Sequence, residues 1–287
     1  MTEADIDNCS VKEPDPGPMG AQYTSRYPWY DSSWLTSYVE AKEIIASACP
    51  EKLPEFVLAM QRLQAPEEFS TTKLNAVLGD DVLARAREII ANLSPDGMER
   101  NELLKFGRFV VHDHPAFNAL QRDLTDMVSD RAGRALVPSY NFLSLYNNLG
   151  VCKVHMDAPE AMWTLDICIE QSATWPIHLS QRVPWPENFE RQGVDWHRQI
   201  ISDPDVRFQA YTLEENEAIL FCGSNQWHYR DRIPRYSDNN YCHLLFMHFI
   251  PEGCEELVDP ACWSDLFDIP ALASAVFARP CAGTEAD

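Results

Sequence analysis

The chain has 287 residues, 45% of them hydrophobic, which is enough for one large domain or for a core with a substantial helical extension. Its 44 acidic side chains against 23 basic ones give a formal charge of -21, which argues against nucleic acid or an anionic membrane surface as a partner. No apolar run approaches the roughly 20 residues that span a bilayer, and the acidic start Met1-Thr2-Glu3-Ala4-Asp5 lacks the basic and apolar regions of a signal peptide.

Residues 1–22 are acidic, rich in Pro and Gly and poor in apolar side chains, and are expected to form a disordered arm. Tyr27-Pro28-Trp29-Tyr30 is an aromatic cluster suited to docking on a core. Residues 23–105 read as a helical extension packed on that core. Asp31 or Ser33 caps a helix carrying Trp34, Tyr38, Ala41, Ile44, Ile45 and Ala48 at i, i+3, i+4 spacing. A second helix is predicted over Leu53–Leu63, and Ser70-Thr71-Thr72 starts a short third. The fourth is capped by Asp80 and Asp81, with Val82, Leu83, Ala86, Ile89, Ile90 and Leu93 on one face. These helices buttress the core or form a dimer interface.

Phe106–Val111 reads as a strand. His112-Asp113-His114-Pro115 has the composition of a metal motif, but alternation turns Asp113 away from the two histidines, and Pro115 suits the first turn of a helix continuing to Val128. From Pro138 the pattern becomes β. Strands are predicted at Ser139–Tyr146, Val151–His155, Thr164–Glu170, Trp175–Ser180, Val206–Thr212, Ala218–Cys222 and Tyr241–Ile250. Short strands separated by turns suggest a jelly-roll sandwich over residues 106–251. An insert at 181–204, holding Trp185, Phe189, Trp196 and His197, is expected to act as a lid over the open side of the metal, against a passive surface loop. Residues 252–287 are assigned to C-terminal helices and a tail. Nine cysteines with no C-x-x-C, four of them (Cys152, Cys168, Cys222, Cys242) inside apolar runs, read as small hydrophobes in a reduced, cytoplasmic protein.

Val154-His155-Met156-Asp157 concentrates the chemistry. In an extended strand, residues i and i+2 share a face, so His155 and Asp157 aim an imidazole and a carboxylate at one point. His228, after the apolar run Ala218–Cys222, supplies a third ligand from a facing strand. Two histidines and a carboxylate on one side of a metal leave the other side open, which suits non-haem Fe(II).

The order of strand, Asn147–Gly150 turn, strand, H-x-D, β-rich stretch and distal histidine resembles the core of Fe(II)/2-oxoglutarate-dependent dioxygenases. The Tyr146-to-His155 spacing resembles the prolyl-hydroxylase-like branch. The resemblance covers residues 106 to 251 and implies an α+β protein: a double-stranded β-helix core buttressed by N-terminal helices. It further implies Fe(II) on His155, Asp157 and His228, 2-oxoglutarate as co-substrate, dioxygen, and oxidation of a small-molecule substrate by hydrogen abstraction. Asp157 stands where related halogenases have a small residue, which argues against halogenation. The family pattern places a Lys or Arg about ten residues after the distal histidine; this chain has Asp238-Asn239-Asn240-Tyr241 there. Arg230, at i+2 from His228, is the first candidate for the distal carboxylate of 2-oxoglutarate, ahead of Arg232 and Arg235, and its other reading is a surface ion pair with Asp231 or Glu217. Tyr146 donates its hydroxyl to the co-substrate or is a core tyrosine. Trp163, Trp227 and the insert's aromatics either shape an apolar substrate pocket or belong to the core. Two other functions share these features: an Fe(II) oxygenase or oxidase that uses no 2-oxoglutarate, and a non-enzymatic β-helix module that binds a small molecule.

Overall fold

Helical and strand patterns segregate along this chain, and the structure, a computed structural model, keeps them apart. It describes residues 32–185, 196–236 and 239–273. The expected arm at 1–22, the Tyr27–Tyr30 cluster, much of the insert and the tail lie outside the described residues.

Two helices lead, α1 (Ser32–Ala48) and α2 (Leu53–Met60), then a short strand β1 (Thr72–Leu74), α3 (Asp80–Ala91), α4 (Leu103–Phe106), β2 (Arg108–His112) and α5 (Pro115–Ala132). Seven strands follow with one helix among them: β3 (Leu136–Tyr146), β4 (Cys152–His155), β5 (Trp163–Gln171), β6 (Ile177–Arg182), α6 (Trp196–Ser202), β7 (Phe208–Tyr211), β8 (Ala218–Cys222) and β9 (Gln226–Arg230). β10 (Cys242–Pro251), α7 (Trp263–Leu266) and α8 (Pro270–Ala273) complete the order.

The strands form two antiparallel sheets facing one another. The larger runs β1-β8-β5-β10-β3-β2 and the smaller β4-β9-β6-β7. From β3 to β10 the chain passes back and forth between the sheets, so the fold is a jelly-roll, a double-stranded β-helix with helices outside it. α3 and α5 cover the outer face of the large sheet through Leu83, Ile90, Phe117 and Val128. Pro115 opens α5, with His114 accepting from the Ala116 N–H at 3.3 Å, and Gly133 at φ 70° ends it in the left-handed conformation. α1, α2 and α7 build a second core around Trp34, Tyr38, Phe56, Trp185 and Trp263. A third fills the interior between the sheets with Tyr146, Trp175, Leu179, Ile219, Phe221 and Leu244.

Two expectations are corrected. Ser70-Thr71-Thr72 starts no helix: Thr72–Leu74 is strand β1, paired with Leu220–Ala218 of β8. A buried apolar strand such as β8 would otherwise present an open edge, and β-branched Thr suits the covering role. His228 stands on a strand that the expected set of strands omits. A tight turn at Gly223–Asn225 moves the chain from the large sheet to the small one, where Gln226–Arg230 forms its own strand β9.

Candidate metal centre

Alternation along two adjacent strands builds the centre. Val154, Met156 and Ala158 are buried in the helical core around Trp34, which turns His155 and Asp157 to the opposite side. β9 repeats the device, with Trp227 in the same helical core and His228 inward. His155 is the register partner of His228 across the β4–β9 pair. β4 ends at His155, so Asp157 is placed by a loop contact: its N–H donates to Gly223 O at 2.9 Å. The result is His155 Nε2 at 3.5 Å from Asp157 Oδ1, and His228 Nε2 at 3.5 Å from Asp157 Oδ2. One ligand atom from each residue falls within 4.8 Å of the others.

The tautomers suit a metal. His155 Nδ1 lies 2.8 Å from Lys153 O, and His228 Nδ1 lies 2.9 Å from Gln226 O. A carbonyl only accepts, so each Nδ1 carries a hydrogen, and in the neutral imidazole the Nε2 lone pair is the one presented to a metal. Burial works against ionisation of Asp157, but the two imidazoles outweigh it and hold the carboxylate well below its ordinary range. Burial likewise disfavours a charged His155, yet the Cys152 sulfur and Asp157 raise it well above the usual imidazole value. Surroundings that favour a proton there also favour a divalent cation. Gly223 leaves room for the carboxylate: a Cβ at that position would overlap Asp157 Oδ2 and come 2.5 Å from Ala161 O. The donor set and geometry fit Fe(II). The His112-Asp113-His114 run builds no such set. His112 lies 3.7 Å from Glu99, and His114 is the helix cap already described.

The three ligands open on a cavity of about 840 Å³ between the sheets. Phe142, Phe221 and Phe246 form its apolar wall, and His197 of α6 reaches it from the insert. His248, five residues beyond His243, faces inward; its Nδ1 is 3.0 Å from Thr164 Oγ1, and its buried Nε2 has no hydrogen-bond partner among the described residues. His243 faces the other way and pairs with Glu170 at 2.7 Å.

The candidate cations divide. Arg230 lines the cavity, but Nη2 donates to Asp166 Oδ2 at 2.6 Å and Nη1 to Trp175 O, with the guanidinium 5.1 Å over the Trp175 ring. The surface pair with Asp231 or Glu217 does not form: Asp231 lies by His178 at 3.6 Å and Glu217 by Lys73 at 2.6 Å. Arg232 and Arg235 are exposed and contribute no wall. Tyr146 is buried, its ring 4.8 Å from Trp175, and its hydroxyl accepts from Arg108 Nη1 at 2.9 Å. Arg108 was invisible to sequence reasoning: one cation on a short strand, marked only by a pairing with Tyr146 that requires the fold. The tryptophans belong to packing. Trp163 lies in the core under α3 and α5, while Trp227 and Trp185 lie in the helical core, where Trp185 Nε1 donates to Ser224 O at 2.8 Å.

No family model matches the chain, and no curated protein does. Solved structures do. HygX from Streptomyces hygroscopicus, solved with nickel, 2-oxoglutarate and hygromycin B, is similar at 11% identity with a TM-score of 0.46, over 68% of this chain and 86% of that one. The non-haem α-ketoglutarate-dependent epimerase SnoN from nogalamycin biosynthesis is similar at 14% identity, TM-score 0.47, over 74% and 90%. A 2OG-Fe(II) oxygenase family oxidoreductase from Burkholderia pseudomallei is similar at 11% identity, TM-score 0.44, over 69% and 89%.

Proposed function

We propose that this protein is a non-haem Fe(II)/2-oxoglutarate-dependent oxygenase that hydroxylates, or otherwise oxidises by hydrogen abstraction, a small organic substrate. The observation that carries the reading is the convergence of two Nε2 lone pairs and one carboxylate on one side of a cavity of about 840 Å³. That volume lies within the usual range for small-molecule sites.

His155, Asp157 and His228 would hold the metal. Bound Fe(II) supplies the means to activate dioxygen and to couple decarboxylation of a 2-oxo acid to substrate oxidation. Lys153 O and Gln226 O keep both imidazoles turned with Nε2 toward the metal. The helical core behind Val154, Met156 and Trp227 fixes the two strands, so the ligands are pre-organised. Phe142, Phe221 and Phe246 exclude water from the wall around the open side. Tyr146 and Arg230 are candidates for the distal carboxylate of the co-substrate, and Arg230 would have to share or exchange Asp166 to take it.

The Asp166–Arg230 pair favours one rival: an Fe(II) oxygenase with the same ligands in which Arg230 is permanently neutralised and no 2-oxoglutarate binds. The seven described cysteines are all free thiols, which supports a reducing, cytoplasmic setting for a ferrous enzyme. Among the described residues, no helix is long and apolar enough to cross a membrane.

Anaerobic titration of the Fe(II)-loaded protein with 2-oxoglutarate tests the proposal. The expected result is a saturable visible charge-transfer band, absent in His155→Ala and His228→Ala because those variants bind no iron. Iron bound by the wild type with no band would transfer the assignment to the oxygenase without the co-substrate.

A further inference from the structure

Arg230 is not the cavity's best-prepared anion site. Arg108 enters the same cavity from β2, beside the end of β3. Its Nε is held by Glu102, and its Nη1 donates to Ser144 Oγ at 3.1 Å and to the Tyr146 hydroxyl at 2.9 Å. Both oxygens thereby act as acceptors toward the guanidinium, so each points its own proton elsewhere. Among the described residues, Arg108 Nη2 has no hydrogen-bond partner. Burial keeps the Tyr146 phenol protonated: it drives the hydroxyl far above its ordinary range, and the nearby Arg108 only partly offsets it. Burial also opposes the charge on Arg108, but the Glu102 carboxylate on its Nε helps hold the guanidinium charged. Its Cζ lies 5.3 Å from the Phe142 ring centre and 5.5 Å from that of Tyr146, so aromatic rings flank the guanidinium.

We propose that Arg108 and Tyr146, both on the cavity wall, form a carboxylate subsite, with the buried Ser144 holding the guanidinium from behind. A guanidinium edge beside the Tyr146 hydroxyl proton matches the acceptor pattern of a carboxylate, which takes several donors in one plane. Arg230, by contrast, already has a carboxylate, Asp166, on one terminal nitrogen and the Trp175 carbonyl on the other. The anion at Arg108 is either the distal carboxylate of 2-oxoglutarate or a carboxylate of the substrate itself. The first source rests on the proposed co-substrate; the second needs only the cavity.

Two calorimetric titrations separate the sources, each on the full chain loaded with Fe(II) without oxygen. One uses 2-oxoglutarate; the other uses benzoate, added to protein already saturated with 2-oxoglutarate. Arg108→Gln is compared with wild type, with iron stoichiometry and circular dichroism as controls for folding. A fall in 2-oxoglutarate affinity of roughly 30-fold or more in Arg108→Gln supports the subsite and assigns it to the co-substrate. Unchanged 2-oxoglutarate affinity with loss of benzoate binding supports it and assigns it to the substrate. No change in either titration overturns it. Tyr146→Phe, which deletes one hydroxyl and keeps the ring, covers the case in which Arg108→Gln does not fold: the same ligand must weaken severalfold, and wild-type binding of both ligands overturns the subsite. Wild-type protein that binds iron but no 2-oxoglutarate overturns the co-substrate reading alone. Benzoate, titrated then into the iron-loaded protein, still decides the subsite.

Discussion

Asp157 owes its position to a glycine. The Gly223 carbonyl receives its N–H, and the missing side chain of Gly223 leaves the space its carboxylate occupies. Gly223→Ala should force Asp157 away from His155 and His228. The expected outcome is a loss of metal affinity of roughly ten- to hundredfold, measured by competition with a chelating dye, with the metal-free protein still folded. His248 makes a second prediction. Burial drives its pKa from 6.5 to about 4, against the opposing pull of Asp157. The unfolded chain therefore binds a proton that the native state refuses between those values. Stability is unaffected above pH 6.5, falls as pH drops below it, and levels off below about pH 4, a total of about 3 kcal/mol. Urea unfolding of the metal-free protein at pH 7.5 and 4.5 should show this loss in the wild type, and a markedly smaller one in His248→Gln. Residues of these two kinds differ in how far the sequence exposes them. The pairing of His155 with Asp157 was legible because a spacing of two depends on neighbours alone, but β4 ends at His155 and the contact with Gly223 completes the placement of Asp157. Gly223, Thr164, Arg108 and His248 act through contacts between strands distant in sequence, so nothing near them in the chain marks their role.

The same boundary separates the elements. β8 came through with its limits intact, because five consecutive buried apolar residues announce themselves. β9 did not, since Gln226, His228 and Arg230 are polar side chains directed into the interior, and a polar alternation inside a buried strand contradicts the usual pattern. Its inward polar face is what equips the cavity. β1 was missed for the converse reason: three residues carry little periodicity, and their conformation is set by the open edge of β8. The helices were visible as amphipathic stretches, but their purpose was not. Trp34 lies tilted against Trp185 at 5.2 Å and edge-on to Trp263 at 5.5 Å, and Val154, Met156 and Trp227 complete the same core. The α1 and α2 region therefore backs the ligand-bearing strands directly, and a gap opened in that core would be felt at His155 and His228 one residue away.

At the scale of the whole molecule, the candidate ligands come from two strands of the smaller sheet and the loop after one of them, in a chain of formal charge -21. Such a charge concentrates divalent cations near the protein without selecting a place for them; the selection comes from the three fixed donors. An ion held by β4, β9 and the loop after β4 would bind the native state far better than the unfolded chain, in which these donors are seventy-odd residues apart at the extreme, from His155 to His228. Binding must then appear as stability. At a free metal concentration about 100 times the dissociation constant, the native state gains about 2.7 kcal/mol. Anaerobic thermal unfolding with Fe(II) should show a midpoint that rises with metal concentration in the wild type and stays level in His228→Ala. Mg(II), a harder ion that dehydrates reluctantly, should leave both midpoints nearly unchanged, because two imidazoles are poor ligands for it. A rise of equal size with both metals would mean that the cation acts on the acidic surface as a whole, and the three-residue centre would lose its claim to specificity.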